Sequence, residues 1–279
     1  MEQLAGVDLA ETEVTGLFGY PVEHSLSPKM HNAGFNELGI NYLYLPFAVE
    51  PENLEQAVEG IRGLGIRGVN LTIPHKEKVI PYLDELSEEA ELIGAVNTIV
   101  NQKGKLVGHN TDGRGYVRSL KENAGFAPAG KEVLLIGAGG AARAVAFQLA
   151  LEGIDRLYIA NRTFSKAEKL AGEIKKKLDV EEVIVLELTR EALSGVIKNI
   201  DLVVDTTPIG MAPDTDVKPV IEPELLASNL LVSDLVYNPQ ETVLLKAAKE
   251  AGAETVGGLG MLLYQGVIAF ELWTERQAT

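Results

Sequence analysis

The chain is predicted to be an α/β protein of two domains, one of them built on a doubly wound parallel sheet. Three observations predict this. Its 279 residues exceed one average domain and suit two of moderate size, with 46% hydrophobic residues to supply a core for each. Short apolar strands alternate with helical stretches along most of the length. Between Val133 and Thr163, mid-chain, a strand, a glycine turn, a helix and a second strand follow one another.

Taken in order, Thr15-Gly16-Leu17-Phe18-Gly19 reads as a first strand, followed by a loop over 20–27. Ser27 before Pro28 marks an N-cap with proline at the first helical position, and that helix runs through Phe35 and Leu38. Residues 42–49 form a second strand. A helix over 51–64 places Leu54, Ala57, Val58 and Ile61 at helical spacing. In a third strand, 66–73, Val69, Leu71 and Ile73 share one face while Asn70 and Thr72 share the other. Strands at 95–100 and 106–110 flank Asn101-Gln102-Lys103-Gly104 and make a hairpin. Helix and strand alternation resumes from Tyr116. Its later strands are 182–186, 201–205 and 230–234, and its helices 165–178, 190–197 and 242–251. Gly257-Gly258 leads into a final apolar helix, 261–273. Glycines at 113–115 and 252–257 mark hinges. They delimit a first domain of residues 1–114, completed by 253–279, and a second of 115–252.

The mid-chain unit carries chemistry. Val133-Leu134-Leu135-Ile136 is a buried strand, and Gly137-Ala138-Gly139-Gly140-Ala141-Ala142 turns from it into an Ala-rich helix. Glycine lets the backbone approach a pyrophosphate, and the helix N-terminus offers N–H groups and the positive end of its dipole. Ala142 stands where a third glycine serves helix–strand packing. This is the Rossmann-type pattern for a dinucleotide. The second strand ends at Asn161-Arg162-Thr163, with Lys166 beyond, where an acidic residue would hold a free ribose hydroxyl. Cations there suit a 2′-phosphate, so the expected cofactor is NADP(H) and the expected chemistry hydride transfer.

Composition narrows the partners. A formal charge of −15 argues against nucleic acid, and an anionic ligand would need local cations such as Lys76, Arg162 and Lys166. With no cysteine, thiolate metal sites are excluded, and the four histidines lack ligand spacing, so no metal is expected. Residues 1–12 lack a basic-then-apolar leader pattern, and the apolar stretch 257–270 is too short to span a bilayer. A cytoplasmic protein with small-molecule partners and no membrane contact is the expectation, as a monomer or homodimer.

Four polar clusters upstream are unlike ordinary loops: His24-Ser25-Leu26-Ser27-Pro28, Asn70 through Lys76, Ala95-Val96-Asn97-Thr98, and Gly108-His109-Asn110-Thr111-Asp112-Gly113. Each has a bland account. Ser27 caps a helix, Asn97 and Asn110 form turns, Asp112 forms an Asx-turn, and Lys76 starts a solvated helix. Yet a polar strand face that exits into a lysine is what a polyhydroxylated anion requires.

In that order these clusters resemble the shikimate dehydrogenase family, as do the segments 137–142, 161–163, 207–211, 234–239 and 257–266. The likeness covers nearly the whole chain. It implies reversible reduction of 3-dehydroshikimate to shikimate by NADPH in aromatic amino-acid biosynthesis. It also implies that the last helix returns to the first domain. By the same resemblance Lys76 is the catalytic acid/base with Asp112 beside it. Ser25, Ser27, Asn70, Thr72, Asn97, Tyr237 and Gln265 surround the substrate. Gly137, Ala138, Gly139, Gly140, Ala141, Asn161, Arg162, Thr163, Lys166, Leu235, Gly258 and Glu88 serve the cofactor. His75 stands where the family often has an aromatic residue, and Lys166 where it often has arginine. Rival readings are a quinate/shikimate dehydrogenase that uses NAD or both cofactors, and a non-enzymatic NADPH sensor.

Overall fold

A computed structural model describes residues 10–178, 180 and 182–278. Residues 1–9 of the N-terminal stretch read above for a leader lie outside the described residues. The chain divides into two compact units, one running to Thr111 and resuming at Gly266, the other Asp112–Gln265.

The first unit holds β1 (Glu13–Gly19), α1 (Ser27–Glu37), β2 (Tyr42–Ala48), α2 (Leu54–Gly63), β3 (Gly68–Leu71), β4 (Glu85–Leu86), α3 (Glu88–Ile93), β5 (Thr98–Gln102) and β6 (Lys105–His109). Its sheet order is β2-β1-β3-β5-β6-β4. The pairs β1–β2, β1–β3 and β4–β6 are parallel, while β3–β5 and β5–β6 are antiparallel. Alternation along β1 sends Phe18 to one core, with Val58, Ile61, Val69 and Ile99, and Leu17 to another, with Phe35, Tyr44, Phe270 and Trp273. The β5–β6 hairpin closes through Lys103 and Gly104, both at positive φ (56° and 97°), as a two-residue turn of this hand requires. Asn101 Oδ1 accepts the Gly104 N–H at 2.7 Å.

The second unit holds α4 (Asp112–Ala124), β7 (Glu132–Ile136), α5 (Gly140–Leu151), β8 (Arg156–Asn161), α6 (Phe164–Lys177), β9 (Glu182–Glu187), α7 (Arg190–Val196), β10 (Leu202–Asp205), β11 (Leu231–Asp234), α8 (Val243–Glu250) and β12 (Glu254–Val256). All its strand pairs are parallel, in the order β12-β11-β10-β7-β8-β9. Counted from β7, that is 6-5-4-1-2-3, the doubly wound order, with its switch point between β7 and β10. Val133 through Ile136 are fully buried, as a parallel strand covered on both faces must be. The last helix, α9 (Leu259–Thr274), begins in this unit and ends in the first. There Trp273 Nε1 donates to Ile99 O at 2.9 Å.

Several local expectations are corrected. The third strand stops at Leu71, so Thr72 lies past it and Ile73 is 75% exposed rather than on the apolar face. Pro74 has no N–H for a ladder, which ends the strand early. Ser27 is already helical and makes no cap bond; Ser25 Oγ instead accepts the Ser27 N–H at 3.2 Å. Residues 95–97 precede their strand. Gly113 and Gly115 lie inside α4, where an added Cβ would meet Ala144 O at 2.7 Å and Gln265 N at 2.5 Å. These glycines permit close helix packing, next to the division between the units at Thr111 and Asp112.

Candidate functional site

In the first unit the polar clusters converge on one buried hydrogen-bonded spine. Tyr44, on β2, donates its hydroxyl to Asn70 Oδ1 at 2.9 Å. Asn70 Nδ2 donates to Asn97 O at 3.2 Å and to Thr98 Oγ1 at 3.0 Å. The Thr98 hydroxyl donates to Asn97 Oδ1 at 3.0 Å, and Asn97 Nδ2 donates to Thr111 Oγ1 at 2.9 Å. Asn70, Asn97 and Thr111 are all buried, so Asn97 is a network member rather than a solvated turn residue. Asn110 is buried too and donates to Ala95 O at 3.0 Å. Ser27, half-buried on α1, reaches the near end of the spine through a side-chain bond to Tyr44, whose phenol burial holds far above its ordinary range.

Lys76 is half-buried beside this spine, and its carbonyl accepts the Val96 N–H at 2.8 Å. Thr72 holds the preceding turn: its N–H donates to Phe18 O at 3.0 Å and its carbonyl accepts from His75 N at 2.9 Å. A Cβ on Gly19 would run into the Thr72 methyl, so the small residue there lets Thr72 approach. His75 is fully buried, with Nε2 bonded to Val49 O at 2.7 Å. It serves the fold where the family's aromatic residue stands. Glu88 is exposed in the first turn of α3, with Glu89 and Glu91, where acids suit the helix dipole; it lies in the first unit, apart in sequence from the other expected cofactor contacts.

In the second unit the glycine turn follows β7 as expected. Gly137 sits at φ 110°, and a Cβ there would strike the Thr206 hydroxyl, so this position demands glycine. A Cβ on Gly139 or Gly140 would meet no protein atom within 4 Å. Open space above glycines at the N-terminus of α5, with Ala138 and Ala141 flanking them, fits a pyrophosphate. At the end of β8, Arg162, Thr163 and Lys166 are exposed, and Asn161 Nδ2 donates to Thr163 O at 2.8 Å. This cationic edge fits a 2′-phosphate.

Leu235 follows β11, and its N–H donates to Asp205 O at 3.0 Å. Gly258 abuts it so closely that a Cβ would collide with the Leu235 carbonyl. Tyr237, 43% exposed, helps line a cleft of about 400 Å³ with Gln240, Gly257, Leu259, Leu263 and Tyr264. Asp112 opens α4, and Gln265 on α9 donates its Nε2 to Leu262 O at 2.9 Å.

Sequence reasoning missed four buried groups. His31 stacks on Tyr44 with ring centroids 4.5 Å apart, and burial drives its imidazole down to about 3. Tyr44 itself was read only as a strand residue. Asp205 and Asp234 end neighbouring parallel strands in register, both buried. Burial, and then the charge of Asp234, pushes the Asp205 carboxyl up to about 7; burial raises Asp234 as well. An acidic residue closing a strand carries no signal of its neighbour until strand order is known. Among the described residues no cluster fit for a metal occurs, and no helix is long and apolar enough to cross a membrane.

Three family models match the chain: a shikimate dehydrogenase substrate binding domain over residues 17–99, shikimate/quinate 5-dehydrogenase over 120–212, and a shikimate 5′-dehydrogenase C-terminal domain over 258–278. The shikimate dehydrogenase (NADP+) of Desulforamulus reducens is 54% identical over 95% of this chain and 90% of its own length. That of Methanopyrus kandleri is 54% identical over 96% and 92%. A crystal structure of shikimate 5-dehydrogenase from Listeria monocytogenes, in complex with shikimate and NAD, is 42% identical. It superimposes with a TM-score of 0.91 over 96% of this chain and 93% of that one.

Proposed function

The chain belongs to the shikimate dehydrogenase family, and on that premise we propose that it catalyses the reversible NADPH-dependent reduction of 3-dehydroshikimate to shikimate, in aromatic amino-acid biosynthesis. One observation carries the reading: a single chain holds both a buried polar spine beside Lys76 and a doubly wound sheet whose glycine turn lies open ahead of Arg162. The first unit is the substrate domain and the second the NADP domain.

Reduction of a ketone needs a hydride at carbon and a proton at oxygen; NADPH, when bound, supplies the hydride. The Lys76 ammonium gives the proton to the carbonyl oxygen, and in the reverse direction takes it back from the shikimate hydroxyl. Asp112 takes a substrate hydroxyl. Ser25 and Ser27 take the carboxylate, with the spine fixing Ser27 through Tyr44. Asn70, Thr72, Asn97, Tyr237 and Gln265 meet the ring hydroxyls, and a site built to satisfy hydroxyls rejects analogues that lack them by up to about 10⁴–10⁵. Gly137 through Ala141 cradle the pyrophosphate, while Asn161, Arg162, Thr163 and Lys166 clamp the 2′-phosphate. Leu235 and Gly258 would hold the nicotinamide end when NADPH is bound, and Glu88 would add a further cofactor contact.

The enzyme works in the cytoplasm, as a monomer or homodimer, on small molecules and not on nucleic acid or membranes. Initial rates of NADP+ reduction against shikimate and quinate, each repeated with NAD+, test the reading. Shikimate with NADP+ should be the fastest pair. Cofactor binding without shikimate-dependent reduction would overturn it in favour of a sensor, and faster turnover with quinate and NAD+ in favour of the quinate enzyme.

A further inference from the structure

The second unit buries two carboxylates side by side. Asp205 and Asp234 end β10 and β11 as register partners, with 1% and 0% of their surfaces exposed. Side chains at the same level of adjacent parallel strands lie on the same face, so these two acids share one desolvated space. They are held differently. Both Asp234 oxygens are matched: Oδ1 accepts the Val236 N–H at 2.9 Å and Oδ2 the Thr242 hydroxyl at 2.6 Å. Asp205 Oδ1 accepts the Thr207 N–H at 2.8 Å, and the Thr207 side chain also bonds this carboxyl. Its Oδ2 is buried with no partner. An unpartnered carboxylate oxygen in that place costs more than an unpartnered neutral acid O–H, because the charge adds to the desolvation penalty.

The location gives this asymmetry its use. Asp205 stands beside the switch point, where β10 pairs with β7. The turn it starts folds back onto the glycine turn, with the Thr206 hydroxyl donating to Ile136 O at 2.7 Å. Thr207 Oγ1 accepts the Ile209 N–H at 3.3 Å, extending the chain of bonds from Asp205 into the turn, and Asp205 O anchors Leu235. We infer that Asp205 is a positioning residue for the cofactor: in its acid form it locks the 206–211 turn and Leu235, and its proton is coupled to the binding of NADP(H). This rests on the NADP reading above. Loss of that proton leaves two buried anions beneath a site for an anionic ligand, so cofactor and proton bind together.

The groups facing Asp205 are few. β7 presents Ile136, the following turn Thr206 and Thr207, β11 presents Asp234, and α8 contributes its N-cap Thr242, which bonds Asp234. Asp234 alone among these is ionisable in the accessible range, and since it is matched on both oxygens it keeps the charge while Asp205 keeps the proton. Because the Asp205 carboxyl is held near 7 in the fold against an ordinary 3.8, its stabilising proton is fully in place at low pH and is lost as pH rises through about 7.

The test is NADPH affinity, followed by the nicotinamide fluorescence of the intact protein from pH 6 to 8.5, for the wild type and Asp205→Asn. Full coupling to one proton that leaves near pH 7 weakens wild-type binding by up to about thirtyfold at pH 8.5. Asp205→Asn, always neutral, should lose that pH dependence and bind at pH 8.5 about as the wild type does at pH 6. The same titration with NADH removes ionisation of the 2′-phosphate as a cause. Parallel pH profiles in the two proteins would overturn the inference and leave the NADP reading intact. No binding of NADPH by the wild type at any pH would overturn both. Carbon-13 carboxyl resonances of the wild type, which require no variant to fold, should show Asp205 titrating near neutrality and moving to higher pH with NADP+ bound. An Asp205 midpoint near 4 would also overturn it.

Discussion

Replacement of Arg162 by alanine separates cofactor choice from fold. Arg162 is exposed at the end of β8, so it does not support the core, and its removal should leave stability within about 0.5 kcal/mol of the wild type. Its guanidinium has room for one or two charge-assisted bonds to a 2′-phosphate, each contributing about 1.5–3 kcal/mol. Exposure to water places each bond at the low end, about 1.5 kcal/mol, and Lys166 in the first turn of α6 retains part of the attraction. At about 1.4 kcal/mol per factor of ten, one to two such bonds correspond to a weakening of roughly 10- to 100-fold. Isothermal titration should then show NADP+ affinity falling by that factor while NAD+ affinity stays within about twofold. The melting temperature, read in parallel, should not move. Equal losses for NADP+ and NAD+ would refute the placement of the 2′-phosphate at Arg162, and so would unchanged NADP+ affinity.

Other outcomes follow from the first unit. Lys76→Ala should lower kcat about 10²–10⁴-fold with little change in KM for shikimate, and steady-state turnover equal to the wild type would remove Lys76 from proton transfer. Gly68→Ala drives a Cβ into Ile99 O and the Trp273 indole, breaking the bond between them. Overpacking and one orphaned buried group together cost about 2–5 kcal/mol in urea unfolding, and a loss under 1 kcal/mol would show that the helix end adjusts freely. His31 is neutral in the fold down to about 3 and takes a proton at 6.5 when unfolded. Stability therefore drops as pH falls from 6.5 toward 3, by about 1.4 kcal/mol per unit at the steepest. His31→Phe should flatten that part of the pH–stability curve; an unchanged slope would assign it to other groups.

Much of the second unit was legible because its signals are local. Val133 through Ile136 form an unbroken apolar run, the glycine turn must follow it, and the helix behind is rich in alanine. Short elements left less trace. β4 is two residues long, α3 six and β12 three, below the length at which a period declares itself. Alternation misled at Ile73, since an apolar residue in phase with Val69 and Leu71 looks buried until Pro74 ends the ladder. The polar positions of the site were recognisable as residue types, but their bonding was not. That Asn70 joins Tyr44 to Asn97 depends on the pairing of β1, β2, β3 and β5, and that Asp205 meets Asp234 depends on strand order. Both are tertiary facts with no periodic signature.

The division of α9 between the two units bears on the order in which a nascent chain can fold. The core around Leu17, Phe35 and Tyr44 is closed by Ala269, Phe270 and Trp273, which leave the ribosome about 250 residues after Leu17 does. Asp112–Gln265 contains every strand of its own sheet, and all of it precedes Trp273 along the chain. The unit that begins second along the chain is thus the first able to finish. During translation the earlier residues wait with that apolar face uncovered until the last helix is made.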